Sequence, residues 1–119
     1  MNKHFLSIVD LTRDEIFEIF DLSRELKEKT KRGEPLHLLK GKTLAMVFAK
    51  PSARTRISFE VGMFQLGGHA LYLGPNDIGV GTREAVKDVA RVLSRYNDGK
   101  KMFVHCDLLI SRCFTRDVL

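Results

Sequence analysis

Five consecutive residues, Ser52-Ala53-Arg54-Thr55-Arg56, bring two hydroxyls and two guanidinium groups into one short stretch. They follow the apolar run from Leu44 to Phe48 and precede Ile57, Val61 and Phe64, which recur at helical spacing. The pattern predicts a strand, a tight turn and a helix start. Free backbone N–H groups at a helix N-terminus, flanked by hydroxyls, are what a phosphate dianion requires. An arginine fork adds paired, charge-assisted hydrogen bonds to the oxygens. From these residues alone, a capped helix with two solvated arginines is an equal alternative.

The elements that would hold this turn can be read in order. Thr12 with Glu15 three residues on forms a capping-box pattern, and Ile16, Ile19, Phe20 and Leu26 make one apolar stripe. These predict an amphipathic helix ending before Gly33, with Arg24, Glu25, Lys27, Glu28, Lys29, Lys31 and Arg32 as its solvated face. Gly33 to Gly41 is a connector containing Pro35, and His37 within it is read as a surface residue. Leu44 to Phe48 is short and continuously apolar, as in a strand covered on both faces. The helix after the turn runs through Leu66, Gly67-Gly68 stops it, and His69 to Leu73 reads as a second strand. Gly74 to Gly81 is a loop, and Thr82 caps a helix whose stripe is Val86, Val89, Ala90 and Leu93, ended by Asp98-Gly99. The β-α-β-α order predicts an α/β fold: an open parallel sheet with helices on both faces, its ligands beyond the carboxyl ends of the strands. The turn at residues 52–56 occupies such a place.

Composition bounds the rest. The 119 residues are one domain's worth, and 44% hydrophobic with 29% charged residues is ordinary for a globular fold. A formal charge of +5 would admit a nucleic-acid partner, but the basic residues are spread among acidic ones and no RNA- or DNA-binding motif is visible. No apolar run reaches membrane-spanning length and Met1 to Asp10 has no signal-peptide core, so a cytoplasmic location is expected. Cys106 and Cys113 lack metal-ligand spacing and read as reduced structural residues. No metal site is expected.

The segment Phe48-Ala49-Lys50-Pro51-Ser52-Ala53-Arg54-Thr55-Arg56-Ile57-Ser58-Phe59-Glu60 resembles the carbamoyl-phosphate signature of the aspartate and ornithine carbamoyltransferases. Gln65-Leu66-Gly67-Gly68-His69, Pro75-Asn76-Asp77-Ile78 and Ala90-Arg91-Val92-Leu93-Ser94-Arg95-Tyr96 resemble the ornithine branch more than the aspartate branch. The likeness extends to Gly99. It implies a carbamoyl-phosphate-binding domain over residues 1–99 and transfer of the carbamoyl group to ornithine's side-chain amine, giving citrulline and phosphate. No cofactor is implied, and the assembly implied is a homotrimer. By the same resemblance Ser52, Ala53, Arg54 and Thr55 bind carbamoyl phosphate. Arg54 and Thr55 also stabilise charge developing on the carbonyl oxygen. Gly79 belongs to the loop that reaches a neighbouring subunit's site. Arg56 is left between a ligand contact and a structural pairing with Glu60 one turn on.

Departures accompany the matches. Ala53 stands where the family usually has threonine, and Gly79 where many relatives carry a hydrogen-bonding side chain. Beyond Gly99 the family expects an apolar strand delivering another arginine, whereas this chain has Lys100-Lys101-Met102-Phe103-Val104, with Phe103 near the arginine's position. Residues 100–119 are therefore expected to be a divergent, poorly packed tail. The ornithine-binding domain is expected to be absent, leaving a fragment that binds carbamoyl phosphate without turning over alone. A non-catalytic binding or assembly module of the same fold is the rival from another class, separated by citrulline formation. An aspartate-branch enzyme is a further alternative, separated by acceptor preference.

Overall fold

Thr12 opens the first helix as its spacing to Glu15 predicts. The Glu15 N–H donates to Thr12 Oγ1 at 3.3 Å, and the Thr12 N–H donates to Glu15 Oε2 at 2.8 Å. The computed structural model describes residues 7–79 and 85–103. They fall into two units, one ending at Leu36 and one beginning at His37. This break lies in the Gly33 to Gly41 connector, inside the stretch that the sequence treats as one domain.

The first unit contains a short 3-10 turn, Ile8–Asp10, and helix α1, Arg13–Lys31. Ion pairs from Lys29 to Glu25 and from Lys31 to Glu28 line its charged face as expected. Of the anticipated apolar stripe, Ile16 and Leu26 are half-buried, while Ile19 and Phe20 are exposed.

The second unit is built on strand β1, Thr43–Phe48, with β2, His69–Leu73, on one side and β3, Gly99–Phe103, on the other. Both pairings are parallel, with Val47 opposite Leu73 and Phe48 opposite Phe103. Ala45, Met46, Val47 and Phe48 are all at most 4% exposed. Since successive strand residues point to opposite faces, this burial means that both faces of β1 are covered. The α/β open parallel sheet is thus as the sequence predicts.

β3 departs from expectation. A ladder uses backbone groups, so residue type alone does not bar pairing, and among the described residues β3 pairs with β1. Asp98, immediately before β3, also anchors its register. Its carboxylate accepts from the Thr43 N–H at 2.9 Å, from Thr43 Oγ1 at 3.3 Å and from Lys42 Nζ at 2.9 Å, tying the start of β3 to the start of β1. The sheet therefore continues past residue 99 and takes in the first residues assigned to a divergent tail. Residues 104–119, with Cys106 and Cys113, lie outside the described residues, as does Thr82.

Helix α2, Ala53–Gln65, corrects a second expectation. Ile57, Val61 and Phe64 are 58%, 45% and 81% exposed, whereas Met63 is buried. At 100° per residue, Thr55, Phe59, Gly62, Met63 and Leu66 form a second row on the opposite side of the helix. Every member of that row is less exposed than Ile57, Val61 or Phe64. The helix carries two apolar rows, and the one that starts two residues earlier, with Thr55, is turned inward.

The end of α2 is a Schellman arrangement: the Gly68 N–H donates to the Met63 carbonyl at 2.8 Å and the Gly67 N–H to that of Phe64 at 3.0 Å. Gly67 has φ +83°, which explains its residue type. A Cβ on Gly68 would lie 2.6 Å from Met63 Cε and 3.1 Å from the Leu39 carbonyl oxygen. The loop after β2 contains a one-turn helix, α3, Pro75–Ile78, and α4 spans Val86–Tyr96 with Val89 and Ala90 buried. No helix among the described residues is long and apolar enough to cross a membrane.

Candidate functional site

The carboxyl ends of β1 and β2 lie on the same edge of the sheet because the strands are parallel. From that edge the chain leaves β1 at Phe48, passes Ala49 to Pro51 and enters α2 with Ser52 as its N-cap. Ser52 is extended, with φ −146° and ψ 95°, and its carbonyl accepts the first helical hydrogen bond from the Arg56 N–H at 3.0 Å. The N–H groups of Ala53, Arg54 and Thr55 precede that bond and have no partner within the helix. They carry the positive end of the helix dipole.

A serine at the N-cap usually turns its hydroxyl back onto this turn. Here it does not. Ser52 and Thr55 are instead hydrogen-bonded hydroxyl to hydroxyl, Oγ to Oγ1, at 3.1 Å. One proton is used within the pair and the other O–H is left to donate outward. The first-turn N–H groups stay uncapped by the serine. An uncapped helix start beside an available hydroxyl is an acceptor-hungry site.

Arg54 is exposed, and no carboxylate among the described residues forms an ion pair with it. Its backbone carbonyl accepts from Ser58 Oγ at 2.7 Å, which leaves its side chain out of that contact. Ala53 is exposed at the first helical position and offers only its N–H. The four residues singled out from the sequence are therefore consecutive on one helix start.

Arg56 is placed differently. Its Nε donates to Glu60 Oε1 at 3.1 Å and its guanidinium carbon lies 3.7 Å from the centre of the Tyr72 ring. Tyr72 is the residue that sequence reasoning missed. It lies on β2 opposite Met46, and its ring meets that of Phe48 edge-on, with centroids 5.2 Å apart. The signal was an aromatic residue one short of the carboxyl end of the strand after α2, which no local pattern connects to Arg56.

Gly79 ends α3 with φ +60° and ψ 42°, the left-handed conformation that favours glycine. It leaves the sheet from the same edge as Ser52, since α3 directly follows β2. At the start of α3, the Gly74 N–H donates to Asp77 Oδ2 at 2.6 Å. A Cβ on Gly74 would sit 3.1 Å from Tyr72 Cε1 and 3.3 Å from its hydroxyl, so the Tyr72 ring also borders this turn. Among the described residues no group of three or more His, Cys, Asp or Glu side chains could hold a metal ion.

Residues 3–105 match the family model described as aspartate/ornithine carbamoyltransferase, carbamoyl-P binding domain. The chain is similar to the ornithine carbamoyltransferase of Pelobacter propionicus, 56% identical over 99 residues, covering 83% of this chain and 32% of that protein. Among solved structures it is similar to the ornithine carbamoyltransferase from Pyrococcus furiosus, with 44% identity and a TM-score of 0.89, covering 97% of this chain and 36% of that one. It also resembles the catalytic subunit of aspartate transcarbamoylase from M. jannaschii, at 37% identity and a TM-score of 0.80, over 95% of this chain and 38% of that one. The chain thus spans about a third of the length of the relatives it matches.

Proposed function

Since the chain belongs to the aspartate/ornithine carbamoyltransferase family through its carbamoyl-phosphate-binding domain, we propose that it forms the carbamoyl-phosphate site of an ornithine carbamoyltransferase. In that reaction the side-chain amine of ornithine attacks the carbonyl carbon of carbamoyl phosphate. The C–O bond to phosphate breaks, the amine loses a proton, and citrulline and phosphate are released.

The observation that carries the reading is the uncapped start of α2, where the Ser52 and Thr55 hydroxyls pair with each other and leave the first-turn N–H groups and Arg54 for an anion. The N–H groups of Ala53 and Thr55, one hydroxyl and the Arg54 fork would share the phosphate oxygens. Arg54 and Thr55 would also meet the carbonyl oxygen as negative charge grows on it, a contact stronger in the transition state than in the ground state. The N–H groups and the Ser52–Thr55 hydroxyl pair are held by the helix before the reaction begins and need little reorganisation, whereas the exposed Arg54 side chain would settle on the ligand. Carbamoyl transfer between these groups requires neither metal nor cofactor in this proposal.

The ornithine branch is favoured over the aspartate branch by the 56% identity over 99 residues to the ornithine carbamoyltransferase of Pelobacter propionicus; identities to solved structures of the two branches overlap. Ornithine itself would be held by segments that the relatives have and this chain does not span. Without an acceptor held in attack geometry, the 119-residue chain should bind carbamoyl phosphate but form no citrulline alone. A homotrimer, with Gly79 reaching a neighbour's site, belongs to the same proposal. The exposed apolar row Ile57, Val61 and Phe64 supports an assembly that covers it. A cytoplasmic location and a place in arginine synthesis complete the reading.

Calorimetric titration of carbamoyl phosphate and of inorganic phosphate tests the site. Arg54→Ala should abolish measurable binding, and equal heats for wild type and variant would refute the assignment. A colorimetric assay for citrulline tests the second half, where turnover above the uncatalysed background by this chain alone would overturn it.

A further inference from the structure

Two ends of the anion-binding turn rest on one aromatic ring. The turn is entered from Phe48, whose ring meets Tyr72 edge-on at 5.2 Å, and left through Arg56, whose guanidinium carbon lies 3.7 Å from the centre of the same ring. Arg56 Nε also donates to Glu60 Oε1 at 3.1 Å. Phe48 is 1% exposed and cannot move without disturbing the centre of the sheet. The ring is in turn fixed by β2, which pairs with β1 along its length.

We propose that Arg56 is a positioning residue and not a ligand contact: with Tyr72 it clamps the first turn of α2 to the carboxyl end of β1, holding the Ser52–Thr55 hydroxyl pair and the free N–H groups where an anion meets them together. The clamp rests on the reading of that turn as a phosphate site. A cation within about 6 Å of a ring centroid is attracted by the ring's quadrupole, and Arg56 lies well inside that distance. Its guanidinium face and Nε are both engaged, whereas Arg54, two residues earlier, has no such partner among the described residues. Two arginines of one short motif thus divide the work. Arg54 supplies charge to the ligand, and Arg56 supplies the angle at which α2 presents its first turn.

The same ring borders Gly74. A Cβ there would lie 3.1 Å from Tyr72 Cε1, 3.2 Å from Asp77 Oδ2 and 3.3 Å from the Tyr72 hydroxyl, so a larger residue at this turn would have to push the ring or Asp77 by a few tenths of an ångström. Displacing the ring would therefore loosen both loops at this edge of the sheet.

A double-mutant cycle on phosphate binding separates positioning from contact. Inorganic phosphate is titrated calorimetrically into the whole chain as wild type, Arg56→Gln, Tyr72→Leu, the double variant, Tyr72→Phe and Arg54→Ala, with far-UV circular dichroism confirming each fold. Arg56→Gln and Tyr72→Leu should each weaken binding about fivefold, the scale of a partly exposed cation–π pair. The double variant should lose no more than either single one, and Tyr72→Phe, which keeps the ring, should bind as wild type. Multiplicative losses in the double variant, or wild-type binding by Tyr72→Leu beside a weakened Arg56→Gln, would mean that Arg56 touches the ligand and would overturn the clamp. If Tyr72→Leu does not fold, full loss on Tyr72→Phe overturns it equally. Unchanged binding by Arg54→Ala would instead sink the site reading, and the clamp with it.

Discussion

Ala53→Thr tests whether the family's usual hydroxyl belongs in this site. Ala53 is exposed at the first position of α2, directly after Ser52. A threonine there would add one O–H beside the Ser52–Thr55 pair, which already has one proton free to donate. A hydrogen bond to a charged group is worth roughly 1.5 to 3 kcal/mol, and an exposed position takes the lower end. About 1.4 kcal/mol is a factor of ten in affinity. The β-branch costs at most about 0.7 kcal/mol in a helix interior and less at its first turn. Phosphate and carbamoyl phosphate should therefore bind about tenfold more tightly to Ala53→Thr, with a melting temperature close to that of wild type. Titration calorimetry and a thermal melt of both proteins measure the two quantities. Unchanged affinity at unchanged stability would refute the reasoning: the N–H groups, Arg54 and water would then satisfy the oxygens already, and position 53 would not meet the ligand.

Three further outcomes are expected. Gly68→Ala should lower stability by about 1 kcal/mol, because its Cβ would lie 3.1 Å from the Leu39 backbone carbonyl oxygen, while the Met63 Cε at 2.6 Å ends a flexible side chain that can turn aside; a wild-type melting temperature would show that this junction is loosely packed. Thr12→Ala should cost about 1 kcal/mol of α1, read as reduced helicity and a lower melting temperature, and no change in either would mean that the capping box contributes nothing. Asp98 titrates below the usual carboxylate range, chiefly because the Thr43 N–H donates to it and then because of Lys42. Its stabilising contribution is therefore present above the unfolded value near 3.8 and is lost as pH falls through the lower folded value. Asp98→Asn should melt below wild type at neutral pH, with the gap closing in the acid range; a constant gap would show that the charge is irrelevant.

Much of the fold is legible because its causes are local. Thr12 and Glu15 satisfy each other across one turn, and the run from Leu44 to Phe48 is apolar because both faces of β1 are covered. Gly67 marks a helix end because that end needs a positive φ. Two features escape for the same reason in reverse. α2 carries apolar residues on two sides, and only the sheet decides that Met63 goes in and Phe64 stays out. β3 is unfavourable in its own residues, yet Asp98 bonds to Lys42 and Thr43 from far along the chain and sets it in register.

The candidate site divides along the same line. Ser52, Ala53, Arg54 and Thr55 are consecutive, so a helix start alone brings their donors together, and spacing is enough to nominate them. Arg56 cannot be assigned from spacing, since Glu60 lies one turn on whether or not Arg56 also meets a ligand. What resolves its position is Tyr72, which reaches it only because β2 pairs with β1 and sets the ring against Phe48. A motif can thus name the groups that would touch an anion, while the groups that aim them come from whichever strand the fold places alongside.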